Sequence, residues 1–283
     1  MELKEYKIEL SGLLINYCQA GKGEPIIFLH NGGGFWQSWE KQINYFSNNF
    51  TVFGIDWPGF GESNLPNELI SLKLLTNILD EFIDQKNLKN VILIGNCIGG
   101  SAALNYSQLK PQNVKELIIF NICPGTMIYP FKIARKIIPA LNSYSVLKSI
   151  VKELFVFAFT KTPVKRKFPK ILFGRNFDIT SPLSKRYIEK FKLENQTKSR
   201  VNLVFSVHTF NIETYITTDK VREHLLVWGC DNKVTSLRKH GYFHKEYLNS
   251  VNFKIIEEAG HLCMYEKSFE VNELILKYIT RSV

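Results

Sequence analysis

The sequence predicts one α/β domain whose doubly wound, mostly parallel sheet is interrupted once by an inserted helical segment. Short apolar runs alternate with helical runs on both sides of that insertion. The chain has 283 residues and is 45% hydrophobic, which is enough to bury a full-size core. Its basic residues are concentrated in the insertion. This composition excludes a fibrous chain, a disordered chain and a small disulfide-held scaffold.

The individual elements follow from the hydrophobic patterning in chain order. Two alternating runs predict an antiparallel hairpin that turns at Ser11-Gly12. The next apolar run, 25–30, is typical of a strand buried on both faces, and it stops at a glycine-rich loop. From there strands and helices alternate, which predicts parallel pairing. The predicted strands are 4–10, 13–19, 25–30, 51–56, 91–95, 115–121, 224–228 and 253–257, and the predicted helices are 36–46, 71–85, 98–109, 235–249 and 268–279.

The insertion spans residues 125–215 and is basic, aromatic-rich and predicted to be helical. It holds 17 Lys and Arg against 5 Asp and Glu, a balance of +12, whereas the rest of the chain holds 19 against 21, a balance of −2. We therefore divide the chain into a core of residues 1–124 and 216–283 and a basic insertion of residues 125–215. A surface of this charge predicts an anionic partner. The sequence carries no zinc-finger, RRM or KH motif, so nucleic acid is not the partner expected.

The remaining composition indicates a soluble, cytoplasmic protein. No run approaches the eighteen apolar residues that a membrane-spanning helix needs, and the start of the chain lacks the pattern of a signal peptide. The cysteines predict neither a disulfide framework nor a zinc site, and no cofactor or metal is expected. They are odd in number and scattered, at Cys18, Cys97, Cys123, Cys230 and Cys263.

The strongest chemical signal is the segment GNCIGG at residues 95–100, between an apolar strand and a helical run. Glycines two residues before and after Cys97 allow a tight strand-to-helix turn, a nucleophile elbow that presents the side chain at a helix N-terminus. The partial positive charge of that terminus favours a thiolate over a thiol. The alternative is an inert apolar cysteine in a plain turn. Because of the flanking glycines, we favour Cys97 as a catalytic nucleophile.

The segment HNGGG at residues 30–34 ends an earlier strand and predicts an oxyanion hole. Small residues let backbone N–H groups approach a developing negative charge, and two donors are needed. We expect one from Ile98, which follows the nucleophile, and one from Gly32 or its neighbour Asn31. A plain glycine turn is the alternative interpretation of this loop.

Two further motifs complete a pattern that resembles the α/β-hydrolase superfamily of lidded, single-domain enzymes. The chain reads HNGGG, DWPGFGES, GNCIGG, WGCDNKV and AGHLCMYE in that order. The resemblance covers nearly the whole chain outside the insertion and implies that residues 125–215 form a helical lid over the site. It also implies that His261, in the Ala-Gly-His motif, is the general base and that His30 supports the oxyanion loop. Asp56 and Glu62 are expected to stabilise a turn and a helix cap.

The third triad member is where this sequence departs from the family pattern. Members of the family commonly carry Asp at the position that Asn232 occupies, directly after Asp231. Either the loop shifts by one residue and Asp231 orients His261, or Asn232 does so as a neutral hydrogen-bond acceptor. We slightly favour Asp231. A Cys-His pair functions with either residue, because it relies less on a carboxylate than a Ser-His pair does.

A cysteine in the elbow predicts a covalent acyl-enzyme and hydrolysis of an acyl ester or thioester. The alternatives are acyl transfer or cyclising release of a carrier-bound acyl chain, and a non-catalytic protein that keeps the pocket. A carboxylate nucleophile would indicate epoxide or dehalogenase chemistry, which we therefore do not expect. Basic lid residues are expected to attract an acidic acyl carrier protein or coenzyme A, and membrane contact is a weaker hypothesis. These residues are Lys132, Arg135, Lys136, Lys161, Lys165, Arg166, Lys167 and Lys170, and residues 154–159 are expected to line an acyl pocket.

Overall fold

Eight strands form one sheet in the part of the chain that the structure describes. The structure, a computed structural model, describes residues 3–129, 131–161, 171–178, 180–217, 221–249 and 251–281. The strands are β1 Lys4–Leu10, β2 Leu13–Ala20, β3 Pro25–Leu29, β4 Thr51–Ile55, β5 Val91–Asn96, β6 Val114–Phe120, β7 His224–Gly229 and β8 Val251–Ile256. Their order across the sheet is β1-β2-β4-β3-β5-β6-β7-β8. The predicted α/β-hydrolase fold with a mostly parallel sheet is confirmed.

Only the first two strands depart from parallel pairing. β1 and β2 form the predicted antiparallel hairpin, and β2 pairs antiparallel with β4. The pairs from β4 through β3, β5, β6, β7 and β8 are parallel. Parallel strands end at the same edge of a sheet, so the loops after β3, β5, β6, β7 and β8 gather there. This edge carries the candidate site.

Ten α-helices lie around the sheet in the described segments. They are α1 Glu40–Phe46, α2 Leu72–Gln85, α3 Ile98–Leu109, α4 Ala134–Ala140, α5 Ser145–Lys161, α6 Pro182–Lys192, α7 Glu194–Ser206, α8 Tyr242–Leu248, α9 Cys263–Glu266 and α10 Ser268–Ile279. The helix predicted at 36–46 starts as a 3-10 turn, and the helix predicted at 235–249 starts as a π turn. None of these helices combines the length and the apolar composition that crossing a bilayer requires.

Alternation along the central strands divides the core into two layers. In β3, Ile27 and Leu29 face the layer that contains α2 and α3, whereas Ile26 and Phe28 face the layer that contains α1 and α10. All four side chains are fully buried. Because both faces of β3 are covered, a polar side chain on either face would be removed from water. This explains the continuous apolar run.

Helices α4 to α7 lie between β6 and β7, where the sequence predicts the lid. Helix α7 is tied to the segment between β4 and α2 by hydrogen bonds to main-chain carbonyl groups. Ser199 donates to Gly59 at 2.5 Å, and Ser206 donates to Ile70 at 2.5 Å. Asn202 adds a bond to the carbonyl of Glu68 at 2.9 Å. This helix is therefore fixed to the core, although it belongs to the insertion by sequence.

Asp56 shows why the DWPGFGES segment keeps its shape. Its buried carboxylate accepts hydrogen bonds from the main-chain N–H groups of Trp36 and Glu62, at 2.7 and 3.0 Å, and from the amide of Asn16 at 2.8 Å. Burial raises the pKa of Asp56 to about 6, and these hydrogen bonds oppose the rise. Asp56 thus joins strand β2, the turn that starts at Trp36 and its own loop, in line with the structural role expected from the sequence.

Candidate active site

Cys97 sits in the tight turn between β5 and α3. Its backbone has φ 55° and ψ −113°, a conformation that a non-glycine residue adopts only at a cost of about 1 to 3 kcal/mol. The turn is possible because Gly95 has no side chain: a Cβ atom there would lie 2.4 Å from the carbonyl carbon of Gly99. The Cys97 N–H donates to the carbonyl of Phe120 at 2.9 Å, which fixes the turn to β6.

The sulfur of Cys97 is surrounded by hydrogen-bond donors. The thiol of Cys123 and the imidazole of His261 both hydrogen-bond to it, and the N–H of Ile98 does so from the start of α3. The Cys123 thiol is the largest influence, and together these donors hold the pKa of Cys97 well below its ordinary value, although burial opposes them. Sharing that bond raises the pKa of Cys123 well above its ordinary value. Cys97 is therefore the thiolate of the pair and Cys123 the proton donor.

His261 lies in the loop after β8 and is buried. Its Nδ1 atom is 3.1 Å from the amide nitrogen of Asn232. That amide nitrogen also lies 2.9 Å from Oδ1 of Asn121 and 2.8 Å from Oγ1 of Thr235. The structure therefore places Asn232, and not Asp231, against the imidazole.

Asp231 does not take the position that we favoured for it. Its carboxylate points to Arg175, with Oδ1 and Oδ2 at 2.9 and 3.1 Å from two guanidinium nitrogens. The Arg175 guanidinium holds the pKa of Asp231 below its usual range. The one-residue loop shift that we expected does not occur, because Asn232 Oδ1 accepts the N–H groups of Val234 and Thr235, both at 2.9 Å, and closes the loop in its unshifted register.

The loop after β3 is held from both sides. His30 accepts the N–H of Trp57 at Nε2, at 2.9 Å, so its Nδ1 carries the proton that bonds to the Asn31 carbonyl at 2.7 Å. Burial lowers the pKa of His30 to about 3, which keeps the ring neutral. The side-chain carbonyl of Asn31 accepts the hydroxyl of Tyr187 on α6, at 3.1 Å. These contacts fit the supporting role that the resemblance implies for His30.

Gly32 belongs to this loop and faces helix α7 of the insertion. A Cβ atom at this position would lie 2.5 Å from Cδ2 of Leu203 on α7 and 3.9 Å from Cδ1 of Ile98. Glycine is therefore required here while α7 is in place. The structure thus places Gly32 near the side chain of Ile98, the residue after Cys97. The role of Gly32, Asn31 and Ile98 as an oxyanion hole stays a prediction.

Arg200 is a half-buried cation beside the same loop. Its side chain runs past Gly33, its guanidinium stacks on the ring of Phe191 at 3.8 Å, and Nη2 donates to Thr197 Oγ1 at 3.0 Å. Nη1 is buried without a hydrogen-bond partner in the described part of the chain, where no carboxylate pairs with this guanidinium. Burial lowers the pKa of Arg200 to about 9.

Three residues of this site were missed by the sequence analysis. Asn121 directly follows an apolar strand and has φ 44°, and an asparagine at such a strand end is a usable signal. Cys123 carries no local signal, because its partner is 26 positions away in the chain. Arg200 was one of 17 basic residues in the insertion, and only packing distinguishes it from the solvated ones.

Three further histidines are packing residues, and several of the predicted lid residues lie outside what the structure describes. His224, His240 and His244 are buried, and burial lowers the pKa of each of them. Among the described residues no three or more His, Cys, Asp or Glu side chains are grouped so that they could hold a metal ion. Lys165, Arg166, Lys167, Lys170 and the side chains of Phe159 and Lys161 lie outside what the structure describes.

Comparisons with known proteins agree with the fold described above. The family model described as "alpha/beta hydrolase fold" matches residues 24–268. The chain is 24% identical over 289 aligned positions to 2-hydroxy-6-oxo-6-phenylhexa-2,4-dienoate hydrolase of Comamonas testosteroni, covering 96% of this chain and 93% of that protein. It is also 24% identical to mouse epoxide hydrolase 4, over 96% of this chain and 78% of that protein.

Solved structures show the same fold at low sequence identity. An epoxide hydrolase, CorEH, superposes with a TM-score of 0.77 at 20% identity, covering 100% of both chains. An esterase from Exiguobacterium antarcticum superposes with a TM-score of 0.76 at 19% identity, covering 96% of this chain and 98% of that one. At this identity the likeness concerns the fold alone.

The Cys123 thiol should control the ionisation of Cys97. Replacing it, as in Cys123→Ala, removes the largest influence that lowers the pKa of Cys97 and should raise that pKa towards its ordinary value. The measurement is a titration of thiolate ultraviolet absorbance, taken as the difference between each protein and the same protein carrying Cys97→Ala. Cys123→Ser keeps a donor and should shift the pKa less, and the matched control Cys230→Ala should not shift it. An unchanged midpoint in Cys123→Ala would contradict this assignment.

Proposed function

This chain belongs to the α/β hydrolase fold family, and we propose that it is a hydrolase that cleaves an acyl ester or thioester through a covalent intermediate on Cys97. The observation that carries the proposal is the position of Cys97 in the strained elbow after β5, with Cys123 and His261 beside its sulfur. These neighbours lower the pKa of the Cys97 thiol and so favour its nucleophilic thiolate form. Family membership alone does not assign this chemistry, because the relatives named above include epoxide and carbon–carbon bond hydrolases.

The reaction would begin with attack of the Cys97 thiolate on the acyl carbon. The carbonyl oxygen then becomes an oxyanion, which would be stabilised by the N–H of Ile98 and by a donor from the loop at Gly32. Collapse of the tetrahedral adduct expels the alcohol or thiol group and leaves a thioester on Cys97. Water, or another acceptor, releases the acyl group in the second step.

Acyl transfer or cyclising release is the second candidate, and the burial of the nucleophile favours it. The Cys97 side chain is 5% exposed and belongs to the same apolar cluster as Val207, Phe210 and Ile212 of the insertion. A site enclosed in this way limits the water that reaches the acyl-enzyme. Product formed with an added thiol, alcohol or amine in excess of hydrolysis would identify transfer.

Mass spectrometry of the intact protein tests the covalent step. Wild type mixed with acyl thioesters and activated esters of different chain lengths should gain the acyl mass, and Cys97→Ala should not. Cys230→Ala, a half-buried cysteine outside the site, is the matched control and should label like wild type. Absence of both labelling and turnover over the panel would favour the third hypothesis, a non-catalytic binding protein with this fold.

Arg200 supports a more specific proposal about the substrate. The described residues give the Arg200 guanidinium no carboxylate partner, and its Nη1 atom is buried without a hydrogen bond, which costs desolvation free energy that an anionic ligand group would offset. Arg200 lies along Gly33, next to the predicted oxyanion loop, so the anionic group would sit near the reacting carbonyl. The Comamonas testosteroni relative named above is a hydrolase of a dienoate, which is a carboxylate. We therefore propose that the acyl substrate carries a carboxylate.

Matched substrates test the role of Arg200. With Arg200→Met, kcat/KM for a succinyl thioester should fall by at least about 30-fold, because loss of a buried charge partner costs about 2 kcal/mol or more. The uncharged butyryl thioester should be affected much less, and Arg200→Lys should retain part of the preference. Arg186→Met, which removes an exposed arginine of α6, is the control. Equal losses for both substrates would contradict an anion-binding role.

The surface of α4 and α5 supports a proposal about the partner. Large apolar side chains are exposed here beside five basic residues, Lys132, Arg135, Lys136, Lys148 and Lys152, and one acidic residue, Glu153. We call this surface the apolar lid face; its exposed apolar members are Phe131, Ile133, Ile137, Tyr144, Val146, Leu147, Ile150, Leu154, Phe155 and Phe157. Leu154 and Phe157 were expected to line an acyl pocket, but they are 62% and 63% exposed.

We propose that the apolar lid face binds an anionic membrane surface, since exposed apolar side chains interleaved with lysines match such a surface in both charge and polarity. Wild type should sediment with vesicles of phosphatidylcholine and phosphatidylglycerol, less so at high salt, and not with phosphatidylcholine alone. Lys132→Gln with Lys136→Gln, or Phe131→Ser with Ile133→Ser, should weaken binding several-fold, whereas the exposed Leu109→Ser should not. Binding only to an acidic acyl carrier protein, or to neither, would overturn the membrane assignment.

A further inference from the structure

The orientation of the Asn121 side-chain amide is fixed by main-chain groups whose polarity is known. The N–H of Gly229 can only donate, and it lies 3.1 Å from Oδ1 of Asn121. The carbonyl of His261 can only accept, and it lies 3.2 Å from Nδ2 of Asn121. Oδ1 of Asn121 is therefore an acceptor pointing towards β7 and the loop that follows it.

The orientation of Asn232 follows from two independent sets of contacts. Its Oδ1 accepts the N–H groups of Val234 and Thr235, both at 2.9 Å. Its other terminal atom lies 2.9 Å from Oδ1 of Asn121, an acceptor, so that atom must be the NH2 group. Rotating the amide by 180° would place its NH2 group against the N–H groups of Val234 and Thr235. Its oxygen would then face Oδ1 of Asn121, so three buried hydrogen bonds would be lost.

The group that faces His261 Nδ1, at 3.1 Å, is therefore the NH2, whose two hydrogens are shared among this nitrogen, Oδ1 of Asn121 and Oγ1 of Thr235. An amide nitrogen has no lone pair to offer, so a proton on Nδ1 would meet it without an acceptor. We propose that Asn232 holds His261 as the neutral tautomer with its proton on Nε2, so that this ring stabilises the Cys97 thiolate but is a poor base for water. From the sequence, Asn232 was one of two candidate partners of His261 and was considered as an acceptor, whereas its contacts make it a donor.

The consequence concerns the two half-reactions and rests on the function proposed above. Acylation needs no base, because the thiolate is preformed: Cys97–S⁻ attacks RC(O)–SR′, the C–SR′ bond breaks, and R′S⁻ leaves. Hydrolysis of Cys97–S–C(O)R by water gives RCO₂⁻, Cys97–S⁻ and two protons, so a base must take a proton from the water. Nε2 can take that proton only if it carries none beforehand, which is the Nδ1–H tautomer. After the transfer the ring is an imidazolium. In both states Nδ1 carries a proton.

Deacylation by water should accordingly be slow, and a thiolate acceptor R″S⁻, which brings no proton to remove, should release the acyl group faster. It attacks the carbonyl carbon, breaks the C–S bond to Cys97 and gives RC(O)–SR″ and the free thiolate. The enzyme remains a hydrolase in the absence of such an acceptor. The structure thus predicts an accumulated acyl-enzyme during hydrolysis.

Nitrogen-15 NMR of histidine-labelled wild type tests the tautomer directly. The His261 signals are identified as those missing from the spectrum of His261→Asn. We expect Nδ1 to show the shift of an unprotonated ring nitrogen and Nε2 that of a protonated one. The reverse pattern, or an imidazolium at neutral pH, would overturn the proposal whether or not a substrate is known.

Single-turnover kinetics test the consequence. In Asn232→Asp a carboxylate can accept the Nδ1 proton, and the acyl-enzyme should be hydrolysed about tenfold faster or more. Asn232→Ala removes the donor that faces Nδ1, and in the acyl-enzyme no thiolate faces Nε2, so both tautomers become accessible and hydrolysis should also be faster than in wild type; this variant covers the case that the aspartate variant does not fold. Asp231→Asn, next in the chain but paired with Arg175, is the matched control and should deacylate like wild type.

The outcomes separate this proposal from the proposed function. An acyl-enzyme that forms on Cys97 but is hydrolysed at an unchanged rate in Asn232→Asp and Asn232→Ala would refute the role of Asn232 alone. Failure of wild type to form an acyl-enzyme with any substrate would refute the proposed function, and the NMR result would still decide the tautomer.

Discussion

The site depends on the buried amide of Asn121 at the end of β6. Its nitrogen contacts the carbonyl of His261 and the side chain of Asn96 at the end of β5, and its oxygen accepts the N–H of Gly229 and the amide of Asn232. One side chain thereby joins three adjacent strand ends and the loop that carries the histidine. Because every polar atom of this amide is paired in a buried region, rotating or removing it would leave several partners unsatisfied. The orientation of the whole site is set from this point.

Most of the fold could be predicted because its signals are local. The run at β3 is apolar at every position, since both of its faces are covered, and the glycines around Cys97 reveal a close approach of backbone segments before any contact is known. The starts of the helices were less accessible. The predicted helices at 36–46 and 235–249 begin as 3-10 and π turns, because packing against neighbouring loops, rather than periodicity, decides the geometry of a first turn.

The site could be predicted only as far as motifs reach. The motif at 95–100 places Cys97, and the motif at 258–261 places His261. The choice between Asp231 and Asn232 depended on two contacts that no motif encodes: Arg175, 56 positions away, attracts the aspartate, and the N–H groups of Val234 and Thr235 lock the asparagine. The sequence also does not show which end of the Asn232 amide faces His261. An amide carries both a donor and an acceptor, and its orientation is fixed by the groups around it.

The attachment of α7 divides the insertion into two mechanical parts. Three buried side chains of α7 donate hydrogen bonds to the main chain between β4 and α2. Helices α4 and α5, in contrast, contact α7 through the apolar cluster around Val156 and Phe205. Apolar surfaces slide past one another at a lower cost than buried hydrogen bonds break. The insertion therefore has one part that polar contacts fix to the core, and the Leu203 side chain of that part lies against Gly32 of the predicted oxyanion loop.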